Sequence, residues 1–225
     1  NDPYGALYSG IQRANIVLRY IDQIPASGIT EEDRSMIKGE ALFLRGYQYF
    51  LLVNNYKEVP LRLIPSNEDE TNKGPASEAA LWTQVEEDLG NAIKCNLPVE
   101  RTTAKERVTK GAAIAMLGKV YATQHKYPEA KQLLVSLLSA PYSYELVDDF
   151  AKNFTNEEEF NKESVYEIAY SPDGEYSWSN ESGICLGCYI PQFIGPVKSG
   201  GWAKLMPNSF IVGEFTKETR PNGAD

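Results

Sequence analysis

The sequence has few of the residues that most catalytic sites require. Its 225 residues include one histidine, His125, so no Ser-His-Asp or Cys-His set can be nominated. No glycine-rich phosphate loop follows a strand. The acidic runs at residues 68–70 and 157–159 are adjacent carboxylates, whereas a glycoside hydrolase needs two separated acids in different environments. We therefore expect a protein that is not an enzyme.

Cysteine is scarce too, with three residues in the whole chain. Cys185 and Cys188 have the spacing of zinc ligands, but a structural zinc site needs four ligands. The further donors Cys95 and His125 are far away in sequence. We expect no metal and no cofactor, and we interpret the CxxC pair as buried or locally bridged thiols.

Clusters of positive charge and long apolar runs are absent as well. The 31 acidic and 22 basic side chains give a net charge of -9, which disfavours nucleic acid as a partner because the phosphate backbone is negative. No segment approaches the roughly 20 apolar residues that cross a bilayer. The N-terminus, Asn1–Tyr4, lacks the features of a secretion signal, so any such signal has been removed or lies outside this sequence.

What the sequence does contain is helical periodicity through its first two thirds. Apolar residues recur at spacings of three and four, and Thr30 and Ser77 are suited to N-cap positions. The second helix is apolar on nearly every side, which predicts a central position. The expected helices span residues 4–24, 30–54, 77–94, 109–124 and 128–139.

The helical part also repeats itself. An offset of 72 residues pairs residues 38–42 with 110–114, Gly46 with Gly118, and Tyr49 with Tyr121. A glycine lets two helix backbones approach closely and a ring one turn later covers the gap, which is the packing of helical hairpin repeats. We predict a mainly α fold of tetratricopeptide-like hairpin repeats.

The pattern changes after residue 142. Residues 163–170 alternate polar and apolar side chains and predict a short strand, whereas residues 171–204 are rich in Gly, Pro, Ser and aromatics and predict a loop. Coil of this length is more often functional than idle. We expect a helical scaffold over 1–142 and a loop-rich, minor-β, ligand-side segment of the same domain over 143–225.

Several blocks of sequence occur in a characteristic order: Ile11–Leu18, Gly39–Tyr47, Val59–Leu61, Thr109–Ala113 and Glu163–Ile168. Together they resemble the SusD/RagB family of outer-membrane nutrient-binding lipoproteins. The resemblance implies a non-catalytic, cell-surface binder of oligosaccharide or polysaccharide. It also implies a lipid anchor in the outer membrane and delivery of the glycan to a TonB-dependent, SusC-like transporter.

Two departures from the family pattern accompany this resemblance. Family members begin with a lipoprotein signal that ends in a cysteine, and they continue well beyond the position of residues 214–220. We therefore expect an internal part of a longer protein, truncated at both ends.

Sugar binding needs flat apolar surface together with amide or carboxylate groups. The loop-rich segment supplies this mixture. The resemblance implies that the region just before the first helix contributes ligand contacts as well. The candidate glycan-binding residues are Trp178, Trp202, Tyr176, Asn180, Tyr189 and Tyr4. The alternative is that these rings are ordinary packing residues at the end of the helical layer.

Two other functions are compatible with the residues. The same hairpin repeats would suit a scaffold that binds a protein or peptide partner, and an enzyme is the third possibility.

Glu40 and Arg45 lie on the apolar second helix, where charged groups need partners, and we expect them to be polar anchors of the scaffold.

Overall fold

The computed structural model describes residues 3–66, 73–169, 197–202 and 208–217. The chain divides into two compact units, Asn1–Glu167 and Ile168–Asp225. The functional division that we expect at residue 142 stays a prediction. Among the described residues, no helix is both long and apolar enough to cross a membrane.

Helices α1 to α5 form the first unit, and the mainly α fold class is confirmed. Successive helices contact one another in chain order. A 3₁₀ turn, Ile21–Gln23, extends the end of α1. The bounds are α1 Pro3–Tyr20, α2 Glu31–Tyr56, α3 Glu78–Lys94, α4 Lys110–Thr123 and α5 Tyr127–Ser136.

Side-chain caps fix the starts of three of these helices. The hydroxyls of Thr30, Ser77 and Thr109 accept hydrogen bonds from the backbone N–H groups three residues later, at 3.0, 3.3 and 3.1 Å. Each cap satisfies a donor that a helix N-terminus leaves without an intrahelical partner. The predicted caps at Thr30 and Ser77 are confirmed.

Helix α2 is the centre of the core, as its apolar sequence predicts. Phe43, Tyr49, Leu52 and Val53 are at most 1% exposed. They belong to one hydrophobic cluster that also takes residues from α1, α3 and α4. A helix that is apolar on nearly every side is stable only when other elements cover it from several directions.

The two repeat units use their glycines in the same way. A Cβ atom on Gly46 would lie 3.1 Å from Cγ of Leu89 on α3, and one on Gly118 would lie 2.7 Å from Cδ2 of Leu134 on α5. In each repeat, therefore, the glycine lets the following helix approach closely. This geometry confirms the helical hairpin packing that the 72-residue offset predicts.

A buried ion pair connects the helices to the segment that follows α2. Arg45 donates to both carboxylate oxygens of Asp88 on α3, from Nε at 2.8 Å and Nη2 at 2.7 Å. It also donates from Nη1 to Asn15 Oδ1 on α1 at 2.9 Å. The Asn15 amide donates in turn to the carbonyls of Arg62 and Ile64, both at 3.1 Å. We call Asn15, Arg45 and Asp88 the buried polar network.

The segment after α5 is irregular where we predict a short strand. Two 3₁₀ turns, Phe150–Phe154 and Asn156–Glu158, precede it, and the described residues 163–169 form no strand. The Glu163 carboxylate instead accepts the backbone N–H of Val147 at 3.1 Å. The strand prediction is wrong for these residues because the alternating polar side chains bind neighbouring loops, with no paired strand in the described part.

The second unit is described only in part. It contains a 3₁₀ turn at Val197–Ser199 and a short helix, α6, at Ser209–Phe215. Asn208 caps α6 by accepting the N–H of Ile211 at 2.9 Å. We did not predict this helix from the sequence.

The buried polar network predicts a large loss of stability when one charge is removed. Arg45→Met leaves the Asp88 carboxylate buried without its cation and should lower the free energy of unfolding by about 3–5 kcal/mol. The exposed pair of Lys38 and Asp22 provides the control, because Lys38→Met should cost less than about 1 kcal/mol. Urea denaturation followed by circular dichroism measures both, and equal losses would contradict the structural role of Arg45.

The glycine packing predicts opposite effects for two substitutions to alanine. A Cβ on Gly39 would lie 2.7 Å from Cβ of Cys95, whereas one on Gly90 meets nothing within 4 Å. Gly90→Ala should stabilise the protein by up to about 1 kcal/mol through helix propensity. Gly39→Ala should instead destabilise it, because overpacking costs about 1–3 kcal/mol. Thermal unfolding of both variants tests the difference, and a stabilised Gly39→Ala variant would refute the close approach.

Candidate functional site

Three tyrosines form an aromatic surface where α1 begins and α2 ends. The ring centroids of Tyr4 and Tyr8 are 4.9 Å apart, and those of Tyr4 and Tyr56 are 5.1 Å apart with the rings nearly perpendicular. Both distances lie in the range of favourable aromatic pairs. We call Tyr4, Tyr8 and Tyr56 the tyrosine surface.

The extended segment after α2 holds the tyrosine surface in place. The Tyr8 hydroxyl donates to the Pro60 carbonyl at 2.6 Å, and the Arg62 guanidinium lies 5.2 Å from the centre of the Tyr8 ring. The Tyr49 hydroxyl donates to the Arg62 carbonyl at 2.8 Å and accepts the Arg62 N–H at 2.7 Å. The backbone of this segment is therefore anchored at Pro60 and at Arg62.

The surroundings of Tyr8 favour the neutral form of its phenol. Burial raises the pKa of the Tyr8 phenol well above its usual range, and the adjacent Tyr4 hydroxyl raises it further. The Tyr8 phenol thus remains a hydrogen-bond donor throughout the physiological pH range. Tyr4 is half-buried and Tyr56 is 43% exposed, so the surface combines fixed rings with accessible ones.

Such a surface can bind a flat ligand that has both an apolar face and polar edges. An exposed aromatic ring covers the apolar C–H face of a sugar, and phenol hydroxyls exchange hydrogen bonds with its hydroxyls. Within the described ranges, no group of three His, Cys, Asp or Glu residues could hold a metal ion. The rings and hydroxyls of the tyrosine surface are suited to recognition of a ligand by contact.

The structure places two of the candidate residues that we named from the sequence. Tyr4 lies in the tyrosine surface, and Trp202 lies in the second unit with 38% of its surface exposed. The other candidates and the CxxC cysteines lie outside the described residues: Tyr176, Trp178, Asn180, Tyr189, Cys185 and Cys188.

The sequence analysis missed two residues of this surface. Tyr8 is four residues after Tyr4, a spacing that places both rings on one face of a helix, so a signal for it was available. Tyr56 belongs to another helix, and its approach to Tyr4 follows only from how α1 and α2 pack. Local spacing could not have identified it.

Glu40 and Arg45 are anchors of the scaffold, as their positions predict. Arg45 belongs to the buried polar network. Glu40 forms ion pairs with Arg101 and with Arg107, the latter at 2.7 Å, and joins α2 to the loop before α4. The hydrogen bond that Arg107 donates to the Glu40 carboxylate raises the pKa of the Arg107 guanidinium.

The family comparison agrees with this architecture. The SusD-like family described as starch-binding and associating with the outer membrane matches residues 1–122. A laminarin-binding SusD-like protein is 34% identical, with a TM-score of 0.74 over 79% of this chain and 39% of that one. A SusD superfamily protein from Bacteroides vulgatus ATCC 8482 is 32% identical, with a TM-score of 0.80 over 96% of this chain and 44% of that one.

A third relative has a related description. Surface glycan-binding protein A from Bacteroides uniformis is 26% identical, with a TM-score of 0.67 over 75% of this chain and 38% of that one. No curated protein matches the chain. The chain spans about two fifths of the length of these solved relatives. The family match over more than half of its residues, together with two relatives above 30% identity, establishes that the chain belongs to the SusD-like family.

Proposed function

We propose that this protein binds oligosaccharide or polysaccharide without chemically changing it. The observation that carries the proposal is the 34% identity to a laminarin-binding relative over 79% of the chain. The tyrosine surface supports it, because fixed and partly exposed rings suit the apolar faces of sugars. The sequence offers one histidine for any catalytic set, which supports a binder over an enzyme.

The residues proposed to contact the glycan come from two parts of the chain. Tyr4 contributes from the tyrosine surface, and Trp202 contributes from the second unit. The remaining candidates belong to the loop-rich segment: Tyr176, Trp178, Asn180 and Tyr189. The rings would stack on sugar faces and the Asn180 amide would bind hydroxyls.

The proposal extends to the place and partner of the protein. We infer that the longer protein is held at the cell surface by a lipid anchor in the outer membrane. There it would pass captured glycan to a TonB-dependent, SusC-like transporter. The family description, which associates starch binding with the outer membrane, supports this location.

Substitution of the candidate tryptophans tests the glycan contacts. Isothermal titration calorimetry against laminarin and a panel of plant, host and microbial polysaccharides should identify one bound class. Trp178→Ala combined with Trp202→Ala should then weaken binding at least about tenfold, a loss of about 1.4 kcal/mol. The reason is that aromatic side chains that the ligand covers dominate the energy of such contacts. Undiminished binding by the double variant would exclude these tryptophans from the site.

The tyrosine surface is tested in the same titration. Tyr4→Ala should weaken binding of the identified polysaccharide, whereas Tyr4→Phe should retain most of it because the ring is kept. Tyr127→Ala is the matched control, since Tyr127 is 60% exposed and starts α5. If Tyr4→Ala and Tyr127→Ala bind alike, Tyr4 has only a packing role.

A protein or peptide partner is the competing function, and one observation favours it. Large apolar side chains are exposed on α5 and just after it, including Val135 at 51% and Leu138 at 76%. Exposed apolar surface of this kind marks contact sites between proteins. Capture of the SusC-like transporter after co-expression would support delivery, whereas peptide binding without any glycan binding would favour the scaffold function.

A further inference from the structure

A separate pocket of about 330 Å³ lies in the first unit, beside the loop that precedes α4. One wall comes from Val99–Thr109 and the other from residues 141–144 and 160–167. Its volume is near the lower end of the roughly 300–1,000 Å³ typical of ligand sites. The tyrosine surface contributes no residue to its lining. We call it the hairpin pocket.

Aromatic rings supply the apolar part of the hairpin pocket. The rings of Tyr142 and Tyr144 are nearly parallel, with an interplanar angle of 12° and centroids 6.1 Å apart. Tyr166 lines the same pocket and packs edge-on against Phe43 of the core, at 5.1 Å between centroids. Burial raises the pKa of both Tyr142 and Tyr166, so their hydroxyls stay protonated and can donate hydrogen bonds.

Charged and polar side chains complete the lining. Lys105 is exposed, and Lys162 is loosely paired with Glu145 at 3.4 Å. Arg101 is less available, because its Nε and Nη2 donate to the Val108 carbonyl at 3.1 and 3.0 Å. Lysine ammonium groups next to phenol rings can bind the hydroxyls of a ligand whose ring lies on the aromatic wall.

The walls of the pocket are held rigidly. Tyr144 occupies the space that a side chain at position 111 would fill, because the Tyr144 ring carbons lie 2.9 Å from a Cβ built on Gly111. The ion pair between Glu40 and Arg101 fixes the opposite wall to α2. A pocket formed in advance in this way loses little conformational entropy when a ligand binds.

Backbone strain at the same place points to function. Phe160 has a φ of 55°, a left-handed conformation that is a genuine outlier for a bulky residue. The Glu167 carboxylate holds it there by accepting the Phe160 N–H at 3.1 and 3.2 Å. Strained backbone of this kind is enriched at ligand sites.

We propose that the hairpin pocket is a second saccharide site, which binds the end of a short oligosaccharide independently of the candidate residues in the second unit and of the tyrosine surface. The paired rings of Tyr142 and Tyr144 take one face of a terminal sugar, and Lys105 and Lys162 bind its hydroxyls. The site rests on the proposed glycan-binding function. It would give the first unit a contact to glycan apart from the tyrosine surface.

Nuclear magnetic resonance of the ¹⁵N-labelled 225-residue chain tests the proposal. The probes are laminaritriose, maltotriose and xylotriose, added separately. The expected result is a saturable shift of the Lys105, Ser143 and Lys162 amides with at least one probe. Shifts confined to the second unit, Ile168–Asp225, or to the tyrosine surface would overturn the second site and leave the proposed function standing. The absence of any shift with all three probes would overturn the hairpin pocket as a saccharide site. Glycan binding itself would be rejected only if the calorimetric titrations against polysaccharides also failed.

Two variants separate ligand contact from folding. Tyr142→Ala removes the half-buried ring and should weaken binding at the pocket amides at least tenfold. Lys105→Ala changes an exposed side chain, so it should keep the fold and still weaken binding severalfold. The control is Tyr127→Ala, which removes an exposed tyrosine outside the pocket. Unchanged affinity at the pocket amides in both Tyr142→Ala and Lys105→Ala would refute the assignment.

Discussion

The position of Arg45 constrains how three helices of this structure pack. The residue is 8% exposed, and its guanidinium contacts Asn15 on α1 and Asp88 on α3. A buried charge is tolerated only when its partners are well placed, so the three helices must pack in one register. Asn15 then binds the carbonyls of Arg62 and Ile64. The extended segment that supports the tyrosine surface is thereby positioned by the core.

Local signals explain why the helices could be predicted from the sequence. The cap at Thr30 needs a hydroxyl three residues before an N–H group, and the glycines at 46 and 118 are recognised by their spacing. The partner of Arg45 could not be predicted in this way. An arginine on an apolar helix must have a partner, but Asp88 is 43 residues away, and only the packing of α2 on α3 identifies it.

The wrong strand prediction for residues 163–169 has a related cause. Alternation of polar and apolar side chains indicates a strand only if one face meets water and a neighbouring strand accepts the backbone. Here the Glu163 and Glu167 carboxylates bind the backbone N–H groups of Val147 and Phe160, while Tyr166 packs on the core. The polar and apolar side chains do alternate, but here the polar side chains anchor an irregular segment. The same anchoring shapes one wall of the hairpin pocket.

Rigidity connects this scaffold to the proposed binding of glycan. A sugar hydroxyl that binds protein gives up a hydrogen bond to water, so each such contact adds only a modest net free energy. The entropy lost in ordering side chains and loops is then a large part of the net free energy of binding. Glu40 fixes the loop that carries Lys105, and Pro60 fixes the ring of Tyr8. Affinity for glycan should therefore depend on buried groups that never touch the ligand, because they set how much order exists before it binds.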